Sequence, residues 1–201
     1  MQKDFTLLKT EIKNMSKSKP SVLKRHTKFN GKWLNFEEVE YIDSFKKVRS
    51  WENVSRTTLG GAVAMIAKKG DKLILVRQFR PPIDNYIIEF PAGLVDGGEK
   101  HDTAALRELR EETGYIGRVT GVTCPVYSSP GMTNETTALV FIDIDENLPE
   151  NLNPKTQMEQ TEDIEVLLVD LEKLKSFLEE RSESGDFIDA KVMSFCAGSS
   201  F

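Results

Sequence analysis

The chain is predicted to adopt an α/β fold, an α/β/α sandwich built on a mixed sheet and preceded by a small antiparallel β-sheet. Three observations predict it. Strand-like segments follow one another from Gly61 onward. One highly charged helical segment interrupts them, and two more helical segments come last. Between Lys32 and Thr58 the chain breaks into short alternating segments separated by turn residues. Strands mixed with helices on both sides indicate a layered sandwich, whereas closely spaced alternations read as hairpins.

Residues 1–22, rich in Lys, Ser, Asn and Met, read as a mobile tail, and Met15 offers a second start. Residues 23–58 form the small sheet, with strands at Trp33–Phe36, Val39–Ile42 and Lys47–Val54 and turns near Gly31 and Ser44. Three strands have too little core to stand alone, so this sheet is expected to pack on the rest of the chain or on another subunit. Residues 59–201 form the main domain. Its strands are expected at Gly61–Ala67, Lys72–Gln78, Tyr86–Phe90, Ile116–Val126, Thr136–Asp145 and Ile164–Val169. Its helices are expected at about Lys100–Thr113, Leu171–Gly185 and Ala190–Cys196. No internal repeat is visible.

The 201 residues carry a net charge of -5 and a pI near 5.3, which leaves no electrostatic footprint for nucleic acid or an anionic membrane. No apolar run approaches the ~18 residues of a transmembrane helix, and no signal-peptide core is seen. Cys124 and Cys196 give neither a disulfide framework nor a metal-ligand spacing, and His26 and His101 stand alone. A cytoplasmic protein is expected, with the nucleus also open. Mitochondrial import is not expected, because the tail has no Arg and carries Asp4 and Glu11.

The chemistry concentrates between Gly93 and Tyr115, GLVDGGEKHDTAALRELREETGY. Gly93 to Gly98 reads as a loop with three glycines, whose backbone can approach a ligand closely. In the helix that follows, Ala105, Leu106 and Leu109 share one face for packing, while Glu108, Glu111 and Glu112 cluster on another. Gly114 takes the C-cap position. An EE pair on a helix is ordinarily a solvated face, but three carboxylates this close repel unless a cation lies between them. Mg2+ prefers oxygen ligands and is typically held by one or two carboxylates plus substrate phosphate oxygens. Arg107 is placed to orient the carboxylates by bidentate hydrogen bonding.

Gly93, Glu99, Arg107-Glu108-Leu109, Glu111-Glu112 and Gly114 resemble the Nudix box, with Tyr115 aromatic where that family usually has an aliphatic residue. Val76-Arg77-Gln78-Phe79-Arg80-Pro81-Pro82 and Glu89-Phe90-Pro91-Ala92-Gly93 resemble the ADP-ribose pyrophosphatase branch, as do Gly31-Lys32-Trp33 and Trp51-Glu52-Asn53-Val54-Ser55-Arg56. The resemblance implies a Nudix fold and Mg2+ as cofactor, with Mn2+ as a substitute. The metal would be held by Glu108, Glu111, Glu112, Glu162 and the Ala92 carbonyl. Glu162 would act as base, with Glu159 as the alternative, and Glu111 and Arg107 would complete the catalytic set. Trp33, Trp51 and Glu52 would bind adenine, Arg56 and Arg80 the diphosphate, and Gly131, Met132 and Glu135 the terminal ribose. The small sheet would be exchanged across a homodimer, so that both subunits contribute tryptophans. Relatives continue the last helix beyond the position of Phe201, so the C-terminal packing is expected to differ.

Hydrolysis of the diphosphate of ADP-ribose to AMP and ribose 5-phosphate is the expected activity. The alternatives are a broader hydrolase of nucleoside diphosphate sugars or of oxidised nucleoside diphosphates, and a binding-only module. The last would be expected to have eroded carboxylates, yet Glu99, Glu108, Glu111 and Glu112 are all present.

Overall fold

The computed structural model describes residues 18–58, 60–158 and 163–199. It divides into two compact units, one made of the N-terminal sheet with Ser129–Glu135 and the other of the remaining residues.

The first unit is an antiparallel meander of β1 (Ser21–Asn30), β2 (Leu34–Ile42) and β3 (Val48–Arg56). Two strand assignments are corrected. The segments expected at Trp33–Phe36 and Val39–Ile42 merge into the one strand Leu34–Ile42, with Trp33 just before it, because Glu37 and Glu38, which interrupt the apolar alternation, are paired with Arg25 and Lys28 across the β1–β2 ladder. The third strand is β1, which begins at Ser21, among the residues read as a tail. Only Val39 and Ser55 are buried in the three strands. The free edge of β3 takes up the segment Ser129–Glu135: Val54 bridges Thr133 in parallel, and the Val54 N–H donates to the Met132 carbonyl at 2.9 Å.

The second unit holds a mixed sheet of eight strands. These are β4 (Ala62–Lys69), β5 (Lys72–Arg80), β6 (Asn85–Glu89), β7 (Ala92–Leu94), β8 (Gly117–Val122), β9 (Thr137–Ile144), β10 (Ile164–Asp170) and β11 (Phe187–Ile188). The order is β11-β6-β5-β4-β9-β8, with β10 on β5 and β7 on β4. The β4–β9 and β6–β11 pairs are parallel, the others antiparallel.

Strand β4 is buried on both faces, and its two-residue period divides the core. Val63, Met65 and Ala67 pack with Ala104, Ala105 and Leu109 of α1 (His101–Thr113). Ala64 and Ile66 pack on the other side with Leu174 and Leu178 of α3 (Leu174–Glu183) and with Val192 and Cys196 of α4 (Ala190–Ser199). Helices on both faces of a mixed sheet make the α/β/α sandwich. The short α2 (Pro149–Leu152) lies between β9 and β10. Among the described residues no helix is long and apolar enough to cross a membrane.

Three local expectations are corrected. Leu106 is exposed and Ala104 takes its place in the core, because the packed face of α1 is centred one residue position round from the expected one. The strand expected to reach Val126 ends at Val122. Beyond it Pro125 has no N–H to offer a ladder, and only Val126 makes a bridge, to Thr137. Gly93 lies in β7, paired with Val63, rather than in a loop.

Candidate active site

Helix α1 and strand β7 bring the box residues together. Gly114 closes the helix with φ 75°, and its N–H donates to the Arg110 carbonyl at 2.9 Å. A left-handed C-cap favours glycine, and here there is a second reason for it: a Cβ at Gly114 would stand 2.5 Å from the Lys155 backbone nitrogen. Gly93 is required by close approach, since a Cβ there would occupy the space of the Glu108 carboxylate.

The acidic residues are not equivalent. Glu112 is buried, at 5% exposure, rather than lying on an exposed face. Burial is tolerated because its Oε2 accepts the Ala92 N–H at 3.1 Å. Glu111 is part-exposed. Arg107 is the hub of the cluster. Its NH1 donates to Glu108 Oε1 at 2.8 Å and to Glu111 Oε2 at 3.2 Å. Its NH2 donates to Glu99 Oε2 at 3.0 Å and to the Leu94 carbonyl at 3.1 Å, and its Nε to Glu99 Oε1 at 3.3 Å. Five N–H groups thereby meet five acceptors, the full capacity of a guanidinium. The bonds to Glu99 hold Arg107 charged well above its ordinary pKa, and in return they hold the Glu99 carboxyl below the usual carboxylate range.

A second arginine faces the same helix from β5. Arg80 donates Nε and NH2 to the two oxygens of the largely buried Glu89, at 2.7 and 3.0 Å, and this pairing raises its pKa. Glu112 adds to the effect through its charge. One edge of the guanidinium is committed to Glu89, which leaves NH1 and the remaining NH2 hydrogen for another acceptor. In the sequence Glu89 stands out only as part of the segment Glu89-Phe90-Pro91-Ala92-Gly93. Its role in holding Arg80 depends on β5–β6 pairing, which places Val76 opposite Glu89.

The donor set suits a hard divalent cation. The carboxylates of Glu108, Glu111 and Glu112 and the carbonyl of Ala92 are all oxygen ligands, and Gly93 lets Glu108 sit directly on the β7 backbone. Among the described residues no three acidic, His or Cys side chains are gathered as a metal-binding group. Glu99, Glu108 and Glu111 are drawn to Arg107 instead.

Seven of the eight residues expected to bind substrate lie in the first unit, and five of them are tied together by hydrogen bonds or an ion pair. The Trp51 indole N–H donates to the Gly131 carbonyl at 2.9 Å, Arg56 forms an ion pair with Glu135, and Met132 bonds β3 through its carbonyl. Trp33 and Trp51 are exposed, at 61% and 53%, so neither is a core residue. The Thr57 N–H donates to the Trp33 carbonyl, which puts Trp33 opposite a position six residues beyond Trp51. At ~3.3 Å per residue the two tryptophans of one chain are roughly 20 Å apart along the sheet. Glu52 is paired opposite Glu38, and strand alternation turns it to the face away from Trp51.

Glu162 and Glu159 lie outside the described residues. The residues flanking them are fixed: the Gln157 N–H donates to the Glu111 carbonyl at 2.7 Å, and the Tyr86 hydroxyl donates to Asp163 Oδ2 at 3.3 Å.

Residues 58–190 match the NUDIX domain family. The chain belongs to the Nudix family. It is 40% identical over 186 residues to the ADP-ribose pyrophosphatase of Saccharomyces cerevisiae, covering 87% of this chain and 80% of that one. It is 39% identical over 175 residues to the ADP-sugar pyrophosphatase of Mus musculus, covering 82% and 80%. A solved structure described as an ADP compounds hydrolase superposes with a TM-score of 0.65 at 24% identity, over 82% of this chain and 85% of that one, a likeness of fold.

The one departure from the Nudix box has a physical account. Tyr115 is buried in the core beneath α1, where burial raises its pKa, and the Lys69 ammonium stands 5.1 Å above its ring. An aromatic residue there serves as packing and as a partner for a cation.

Proposed function

We propose that this Nudix chain hydrolyses the diphosphate of ADP-sugars in a Mg2+-dependent reaction, with ADP-ribose cleaved to AMP and ribose 5-phosphate. The observation that carries the reading is the Arg107 hub, which holds Glu99, Glu108 and Glu111 beside the buried Glu112. The names of the yeast and mouse relatives support the substrate class, and the mouse name supports acceptance of further ADP-sugars.

Charge balance supports the need for a cation. Among the described residues, the carboxylates of Glu89, Glu99, Glu108, Glu111 and Glu112 gather about the guanidiniums of Arg80 and Arg107. An anionic diphosphate would be repelled by such a surface. Mg2+, or Mn2+ in its place, supplies Lewis-acid neutralisation of phosphoryl oxygens when held by Glu108, Glu111, Glu112 and the Ala92 carbonyl. Arg107 keeps the carboxylates of Glu99, Glu108 and Glu111 in place. Arg80 offers its uncommitted edge to the diphosphate, and Glu162 takes the proton of the attacking water, with Glu159 as the alternative.

Adenine stacks on Trp33 and Trp51, which are too far apart in one chain to touch the same base. A second copy of the chain therefore completes the platform, and the exposed apolar residues of the small sheet, Phe29 at 68% among them, support a homodimer. The expected compartment is the cytoplasm.

Product analysis on ADP-ribose, ADP-glucose and GDP-mannose with Mg2+ tests the reading. AMP and ribose 5-phosphate should form fastest, and chelation of the metal should stop the reaction. Turnover that survives chelation, or no cleavage of any of the three, would sink it.

A further inference from the structure

Asn151 is fully buried, at 0% exposure, in the short helix α2, and no feature of the box points to it. Its side chain grips the chain that leaves α1, at the residue just before β8. Oδ1 accepts the Ile116 N–H at 2.8 Å, and Nδ2 donates to the Ile116 carbonyl at 2.8 Å and to the Asp145 carbonyl at 2.9 Å. Its own backbone carbonyl accepts from Lys69 Nζ at 2.8 Å. One side chain therefore fixes both backbone groups of the residue two positions beyond the Gly114 cap.

The chain that follows Asn151 returns to the same helix end. The Lys155 backbone lies against Gly114 so closely that no Cβ fits between them. The Gln157 N–H then donates to the Glu111 carbonyl at 2.7 Å. The last carbonyls of a helix have no partner within it, so this bond caps the turn that carries Glu111 and Glu112.

We propose that Asn151 is a positioning residue for the carboxylates of α1: with Gln157 it clamps the last helical turn from outside, and so sets Glu111 and Glu112 for a divalent cation. This rests on the metal-dependent reading above. Asn151 touches neither substrate nor cation; it acts through Ile116 and the helix end.

The test is Mn2+ and Mg2+ binding to the substrate-free protein by calorimetry, measured beside thermal unfolding. Asn151→Ala should weaken cation binding about tenfold. Leu178→Ala, which removes core volume on the opposite sheet face, should lower the melting temperature comparably and leave cation affinity unchanged. Unaltered cation affinity in Asn151→Ala, or an equal loss in Leu178→Ala, would overturn the inference alone. Should Asn151→Ala not fold, Gln157→Pro makes the same comparison at an exposed residue, because it removes the N–H donated to Glu111 and otherwise restricts only the backbone of residues 156 and 157. Its cation binding should weaken severalfold, and wild-type affinity would count against the clamp. A wild-type protein that binds neither cation would overturn the metal-dependent reading and the clamp with it.

Discussion

The two units of this chain use their side chains in opposite ways. In the mixed sheet, β4 is packed on both faces, and even a carboxylate, Glu112, is buried and hydrogen-bonded. In the three-stranded sheet the aromatic residues Phe29, Trp33, Phe36 and Trp51 are exposed, and Val39 is the one buried hydrophobic residue of the strands. Packing holds the box in a fixed geometry, as electrostatic catalysis requires. The small sheet instead leaves apolar side chains exposed, which suits the recognition role proposed for it. Chemistry and recognition should therefore separate under mutation.

The largest effect is expected in the packed unit. Glu112→Gln keeps an acceptor for the Ala92 N–H, so the fold should survive, while kcat should fall on the order of 100-fold or more. Steady-state kinetics at saturating Mg2+ with a melting curve checks this, and near-normal turnover would remove Glu112 from the ligand set. In the exposed unit, Trp51→Ala should raise Kd for ADP-ribose by about 1–3 kcal/mol, roughly tenfold or more, with kcat little changed. Equilibrium titration decides it; if kcat falls instead, recognition and chemistry are not separate.

A smaller effect concerns acid. The bond from Arg107 holds Glu99 below the usual carboxylate range, so the folded protein favours its ionised form. The stability this contributes is present above the ordinary value of about 4.3 and is lost as pH falls through the depressed folded value. Glu99→Gln should flatten the dependence of melting temperature on pH over that window, and an unchanged slope would mean that other carboxylates govern it. The smallest effect is expected at Phe29. Phe29→Ser should change the stability of the monomer by no more than about 0.5 kcal/mol, yet weaken self-association measured by sedimentation. A large loss of monomer stability would show that the exposed sheet belongs to a core after all.

The same contrast explains what could be read in the sequence. Helix α1 lies within a residue of its expected bounds, and the main strands were visible, because a buried face imposes a period on the residues that line it. Strand β1 was missed for the opposite reason. SVLKRHTKFN is exposed along nearly its whole length, and with neither face buried its residues carry no alternation. The box residues were legible from their spacing. The burial of Glu112, the Glu89–Arg80 pair and the grip of Asn151 on Ile116 were not, because each depends on a partner brought close by sheet or loop packing.

The segment Ser129–Glu135 has a consequence for how such a protein can be cut and recombined. The unit that carries the tryptophans is threaded through three chain crossings, after Thr57, after Ser128 and after Glu135. It is not a cassette. A graft of the three strands alone would leave the Trp51 indole without the Gly131 carbonyl and Arg56 without Glu135. Any chimera that exchanges this unit between relatives must move two stretches of sequence together, and variation in one stretch constrains what the other can accept.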